Sequence, residues 1–137
     1  MISAIRSKTA FVKKQALDFG FQDVGFSRAD SLDDHAVKLT EWLNAGNHGD
    51  MAYMANHFEK RVDPRKLVPG AKTVVSLSYN YFTSQKQEDP KAPIISKYAY
   101  GRDYHKVIKK KLFKLLDKIK DEIGIQNARA FVDSGPV

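Results

Sequence analysis

Three stretches of this sequence carry side chains whose types and spacing could do chemistry. The first centres on Asp133, which follows the apolar run 128–132 and precedes Ser134-Gly135-Pro136. The C-terminal end of an apolar strand is where α/β proteins commonly gather reacting groups. Held in an apolar cleft, a carboxyl group there has a raised pKa and can serve as a general acid. Held in the open, the same aspartate simply caps a turn by accepting backbone N–H groups. The residues alone leave both roles open.

The second stretch is Tyr98-Ala99-Tyr100-Gly101-Arg102-Asp103-Tyr104-His105. Aromatic rings, a glycine and a helix start together make a usable cleft wall, and backbone N–H groups at that helix start favour an electron-rich ligand group. Half-buried packing of Tyr98 and Tyr104 at a strand–loop–helix junction is the competing explanation. In the third stretch, Gly46-Asn47-His48-Gly49-Asp50-Met51-Ala52-Tyr53-Met54, the thioether of Met51 and the ring of Tyr53 suit the face of a large apolar ligand. Methionines at helical spacing also serve as ordinary core. His48 and His57 have no third ligand nearby in the sequence, which argues against zinc. Neither a Gly-rich phosphate loop nor a nucleophile elbow is present.

These residues need elements to hold them. A first helix is expected over 3–19, stopped by Gly20, followed by a short strand over 21–27. A second helix should start near Ser31, with Asp34 completing a capping box, and end at Gly46. Met51, Met54, Ala55 and Phe58 are spaced for a short third helix. The two prolines of 61–70 predict an irregular connection. The β-branched run 73–81 predicts a strand, 94–100 looks extended, and 128–132 predicts a last strand. Between them, 83–93 is polar and reads as a surface loop.

Asp103 is a good N-cap for a long helix through Ile123, with Gly124 as its stop. Its apolar stripe is Ile108, Leu112, Leu115, Ile119 and Ile123; the remainder carries Lys106, Lys109, Lys110, Lys111, Lys114, Lys118 and Lys120. Those lysines form either a solvated face or, for a few of them, phosphate contacts. The expected fold is α/β (α+β), a mixed β-sheet covered by helices.

Length and composition bound the rest. The 137 residues suit one domain, and 42% apolar with 28% charged residues is an ordinary globular balance. No apolar run reaches the ~20 residues of a bilayer span, and no secretory leader is evident, so a cytoplasmic protein without membrane attachment is expected. With no cysteine, the chain can form neither disulfides nor thiolate-bound iron–sulfur clusters. The 23 basic and 16 acidic residues give a formal charge of +7, which attracts polyanions such as RNA.

The order of the motifs is more specific than any one of them. Trp42-Leu43-x-x-Gly46-x-His48-Gly49-x-Met51-x-Tyr53-Met54 resembles a signature of the epoxyqueuosine reductase family. Arg61-x-Asp63-Pro64-Arg65 and Val68-Pro69-Gly70-Ala71-Lys72 are similar to its next block. Tyr98-Ala99-x-Gly101-x-Asp103-Tyr104-His105 is similar to a third, and Phe131-Val132-Asp133-Ser134-x-Pro136-Val137 to the start of a fourth.

The resemblance implies an oxidoreductase that reduces the epoxide of epoxyqueuosine in the tRNA anticodon loop, giving queuosine. It implies cobalamin and two [4Fe–4S] clusters as cofactors, and a monomer. Asp133 is then the proton donor. Tyr98, Gly101, Asp103, Tyr104 and His105 are expected to line the cofactor and substrate cavity, with Met51 and Tyr53 as further contacts. The implied fold is a cobalamin-processing, nitroreductase-like sandwich, truncated here at its C-terminal side. The chain is expected to be a single N-terminal cobalamin- and substrate-binding domain, 1–137, lacking the ferredoxin-like cluster domain and inactive alone. The alternatives are a non-catalytic corrinoid- or tRNA-binding module, or a related cobalamin-dependent reductase of another substrate.

Overall fold

The computed structural model describes residues 2–132. Its elements are α1 (Ile2–Asp18), β1 (Asp23–Arg28), α2 (Asp33–Asn44), a 3-10 turn (Ala52–Met54), α3 (Phe58–Val62), α4 (Pro64–Leu67), β2 (Thr73–Ser78), a second 3-10 turn (Lys97–Ala99) and α5 (Tyr104–Ile123). β1 and β2 pair in a two-stranded sheet. Its flanking bonds, from Gln22 N–H to Ser78 O and from Ala29 N–H to Lys72 O, run in opposite chain directions and make it antiparallel. The described residues therefore combine helices with a small antiparallel sheet. The chain divides into two compact units, Met1–Gly25 with Ser76–Ile125 and Phe26–Val75 with Gln126–Val137.

The first unit holds the larger core. Val12 and Ala16, one turn apart on α1, meet Leu115 and Ile119, one turn apart on α5, and Phe21 and Val24 close the cluster. Ala16 is fully buried, and its small side chain lets the two helices approach closely. Gly20 ends α1 as expected, and the local bonds explain how. It takes a left-handed φ of 86°. Its N–H bonds Leu17 O and that of Phe21 bonds Ala16 O, which satisfies two of the helix's last carbonyls.

One member of the lysine-rich set departs from expectation. Lys111 faces inward: its Nζ donates to Phe19 O at 3.0 Å and lies 4.9 Å from the centre of the Tyr79 ring. It thus caps the end of α1 with a positive charge, where the helix dipole is negative. A Cβ on Gly20 would come within 3.0 Å of that amine, so Gly20 serves the approach as well as the turn. Lys106, Lys109, Lys110, Lys114 and Lys118 are exposed as expected.

In the second unit, α2 packs against α3 and α3 against α4, yet no residue of α2 is buried. The expected Ser31 capping box is not formed. Leu32 is the N-cap without a side-chain bond, because the Ser31 hydroxyl donates to the Asp33 carboxylate instead. The 61–70 connection is more regular than expected. Asp63 accepts the Arg65 N–H at 2.9 Å and Pro64 occupies the first helical position, so the two start α4 together. Two expected strands are absent: 94–100 forms only the 3-10 turn, and 128–132 has no regular structure. β-propensity without a hydrogen-bonding partner makes no strand.

Candidate functional site

In the first unit, Asp103 builds the site. Its carboxylate accepts the His105 N–H at 3.0 Å, and its carbonyl accepts the Val107 N–H at 3.2 Å, which starts α5 at Tyr104. The same Oδ1 lies 3.1 Å from His105 Nδ1. Partial desolvation pushes the Asp103 carboxyl up. The His105 side-chain and backbone hydrogen bonds, with the charges of His105 and Lys106, outweigh that and hold it below the ordinary carboxylate value.

The rings then assemble in series. Tyr104 stacks on His105 at 4.0 Å between centroids, Tyr98 meets Tyr104 edge-on at 5.8 Å, and Tyr81 meets Tyr98 edge-on at 6.3 Å. The structure thus brings together Tyr98, Asp103, Tyr104 and His105 of the expected set. Tyr81 joins them without having been singled out, because only its ring contact with Tyr98 marks it. Gly101 is required by its φ of 84°, the turn into α5. Nothing lies within 4 Å of a Cβ built there, so close approach of protein atoms is not the reason for a glycine. Beside these residues an open cleft of about 370 Å³ is lined by Arg102, Asp103, Lys106, Val107 and Lys110.

Met51 and Tyr53 belong to the second unit. The helix expected through 51–58 breaks in two: the 3-10 turn carries Tyr53, His57 adopts a left-handed φ of 58°, and α3 restarts at Phe58. Arg61 stabilises the break, donating from Nη2 to Tyr53 O and from Nε to Asn56 O, both at 3.1 Å. Met51 and Tyr53 are left exposed, at 42% and 58%. Met54 turns inward instead, lining an open cleft of about 440 Å³ with Leu32, His35, Lys38, Leu39, Trp42, Arg61 and Val62. The Trp42 and His48 rings are 5.9 Å apart, and His48 Nδ1 is buried with no hydrogen-bond partner among the described residues.

Asp63 anchors this region. Its carboxylate is gripped by the Arg65 guanidinium at 2.8 and 2.9 Å. The hydrogen bond from the Arg65 side chain, helped by its backbone N–H and by the Arg65 and Lys66 charges, holds the Asp63 carboxyl below the ordinary value despite desolvation. Asp133 lies outside the described residues. Among those residues no group of three or more His, Asp or Glu is placed to hold a metal ion, and no helix is long and apolar enough to cross a membrane.

Comparison with known proteins agrees with the ordered motifs. The family model described as "Epoxyqueuosine reductase QueG, DUF1730" matches residues 61–134, a span that contains the Tyr98–His105 stretch and Asp133. An epoxyqueuosine reductase of Cyclobacterium marinum is 53% identical over 137 residues, which cover 99% of this chain and 44% of that protein. One of Pseudomonas aeruginosa is 44% identical over 131 residues, covering 92% of this chain and 36% of that protein.

Among solved structures, epoxyqueuosine reductase with a tRNA-Tyr epoxyqueuosine-modified stem loop superposes with a TM-score of 0.83 at 27% identity, over 96% of this chain and 36% of that one. The Bacillus subtilis epoxyqueuosine reductase, solved with an aspartate-bearing catalytic loop swung out of its active site, gives 0.74 at 27% identity, over 86% of this chain and 32% of that one. The chain spans less than half the length of these relatives. The family-model match across more than half of its residues makes this chain a member of the epoxyqueuosine reductase family.

Proposed function

We propose that this chain supplies the N-terminal, substrate- and cofactor-facing part of a cytoplasmic enzyme that reduces the epoxide of epoxyqueuosine in tRNA to give queuosine. The observation that carries the reading is the 53% identity to an epoxyqueuosine reductase along 99% of the chain. It is supported by likeness to a reductase solved with a modified tRNA stem loop.

The chemistry asks three things of this chain's residues. Opening an epoxide leaves an oxygen bearing negative charge, which must gain a proton at neutral pH. Asp133 is the proposed donor. The Bacillus subtilis enzyme carries an aspartate on its catalytic loop, which supports an aspartate in this role. Next, the cofactor must be held. Cobalamin presents a broad, largely apolar macrocycle, and the half-exposed Tyr98 offers an aromatic surface that such a face covers.

Tyr98, Gly101, Asp103, Tyr104 and His105 are the proposed wall for it in the first unit. Cobalamin when bound would supply the reducing electrons. Third, water must be excluded, and closure of a nitroreductase-like sandwich in the longer protein is proposed to do so. Two [4Fe–4S] clusters need cysteine ligands, and this sequence has none, so the longer relatives' additional sequence is the proposed seat of the clusters. Turnover by the 137 residues alone is not expected.

The test is a chimera in which this chain replaces its counterpart in the Cyclobacterium marinum enzyme. Asp133→Asn in that chimera should keep the corrin absorption spectrum and lose epoxide reduction. Full activity in Asp133→Asn would remove it as the proton donor.

A further inference from the structure

We infer that Tyr81 and Phe82 form a stacking platform for unpaired loop nucleotides of an RNA hairpin, flanked by the basic groove on α5. The inference rests on the tRNA reading above and extends it to residues that neither the family motifs nor the catalytic proposal uses.

Exposure comes first. Tyr81 and Phe82 are 61% and 67% exposed, and Ile94, Ile95 and Tyr98 of the same unit are exposed as well. Single exposed apolar side chains are ordinary, but a run of linked ones marks a binding surface. Here the links are physical: Tyr81 to Tyr98 to Tyr104 by ring contacts, and Phe82 to Lys97, whose Nζ lies 4.3 Å from the ring centroid. That amine also donates to Thr83 O at 2.8 Å, which fixes the backbone beside the platform.

Geometry comes next. An edge-on contact leaves at least one face of each ring uncovered by its partner. Tyr98 touches Tyr81 edge-on, at 80°, and the Lys97 amine lies over the Phe82 ring, which is still 67% exposed. Two adjacent aromatic residues with open faces, held by their neighbours, are what single-stranded nucleic acid binders offer to successive bases.

Charge decides between RNA and a protein partner. Protein–protein interface cores are depleted in lysine, whereas Lys97 sits over the Phe82 ring. Arg102, Lys106 and Lys110, with only Asp103 as a carboxylate, line the cleft at the start of α5 in the same unit. Three cations lining one cleft suit a sugar–phosphate backbone.

The measurement is fluorescence anisotropy of this chain with a labelled anticodon stem-loop RNA, and with a blunt duplex of the same stem, across a salt series. Tyr81→Ala/Phe82→Ala is expected to weaken stem-loop binding about tenfold or more while leaving duplex binding and the salt slope unchanged. Tyr81→Trp/Phe82→Trp should restore it. Lys106→Ala/Lys110→Ala should weaken both RNAs and flatten the salt slope.

Wild-type stem-loop affinity in the double alanine variant would overturn the platform and leave the tRNA reading standing. Absence of RNA binding by the unaltered chain would overturn the platform; the tRNA reading falls only if the chimera also leaves the stem-loop unbound. A change in oligomeric state in the double alanine variant, seen by gel filtration with unchanged RNA affinity, would reassign the surface to protein contacts.

Discussion

The region around α5 in the first unit and the region from Met51 to Arg65 in the second hold their candidate site residues in opposite ways. Around α5, a long helix packs its apolar stripe into a core, and Asp103, Tyr104 and His105 sit at its capped start. Between Met51 and Arg65, the side chains hang on short turns. The polar contacts of Arg61 and Asp63 hold those turns, and only Val62 and Asp63 are buried there. The first arrangement rests on apolar packing; the second rests on hydrogen bonds.

Core truncation should expose the contrast most sharply. Leu115→Ala removes a side chain that is 3% exposed in the first unit and should cost about 2–5 kcal/mol in denaturant unfolding. Val62→Ala in the second unit should cost about 1–2 kcal/mol, the loss of two buried carbon groups. Equal losses would erase the distinction.

Smaller effects are expected at the turns. Arg61→Ala frees two carbonyls and should cost about 1 kcal/mol, with backbone chemical-shift changes confined to 53–57. His57→Gly removes the side chain from a left-handed position and should be neutral or stabilising by up to about 1 kcal/mol.

The acid response is the finest discriminator. The folded-state pKa of Asp63 is lowered, so its contribution is fully present above the ordinary value of 3.8 and disappears as pH falls through the folded value. Stability of the wild type should therefore decline below about pH 4 more steeply than that of Asp63→Asn, measured by thermal unfolding at stepped pH. Identical slopes would mean that the Arg65 fork contributes nothing.

Much of α5 was legible beforehand because its signals are local. Asp103 as cap, Gly124 as stop and the stripe from Ile108 to Ile123 all lie within the helix they define. Lys111 was not legible as a cap of α1, because its acceptor, Phe19 O, is 92 residues away in sequence. The helical spacing of Met51, Met54 and Phe58 was real but misleading, since Arg61 and the left-handed His57 interrupt it. The prolines of 61–70 predict an irregular connection, yet Asp63 and Pro64 together start α4. Strands at 94–100 and 128–132 were expected from composition, and composition supplies no pairing partner.

The motif order singles out the Tyr98–His105 stretch, and the structure adds Tyr81 to its rings through a contact that no spacing rule foretells. The proton-donor role of Asp133 still rests on family resemblance.

The central claim is most directly tested in cells lacking epoxyqueuosine reductase. The chimera of this chain with the remainder of the Cyclobacterium marinum enzyme would be expressed there, and the ratio of queuosine to epoxyqueuosine in bulk tRNA measured by mass spectrometry. Conversion to queuosine is the expected result. Persistent epoxyqueuosine, with the chimera folded and loaded with corrin, would contradict the account.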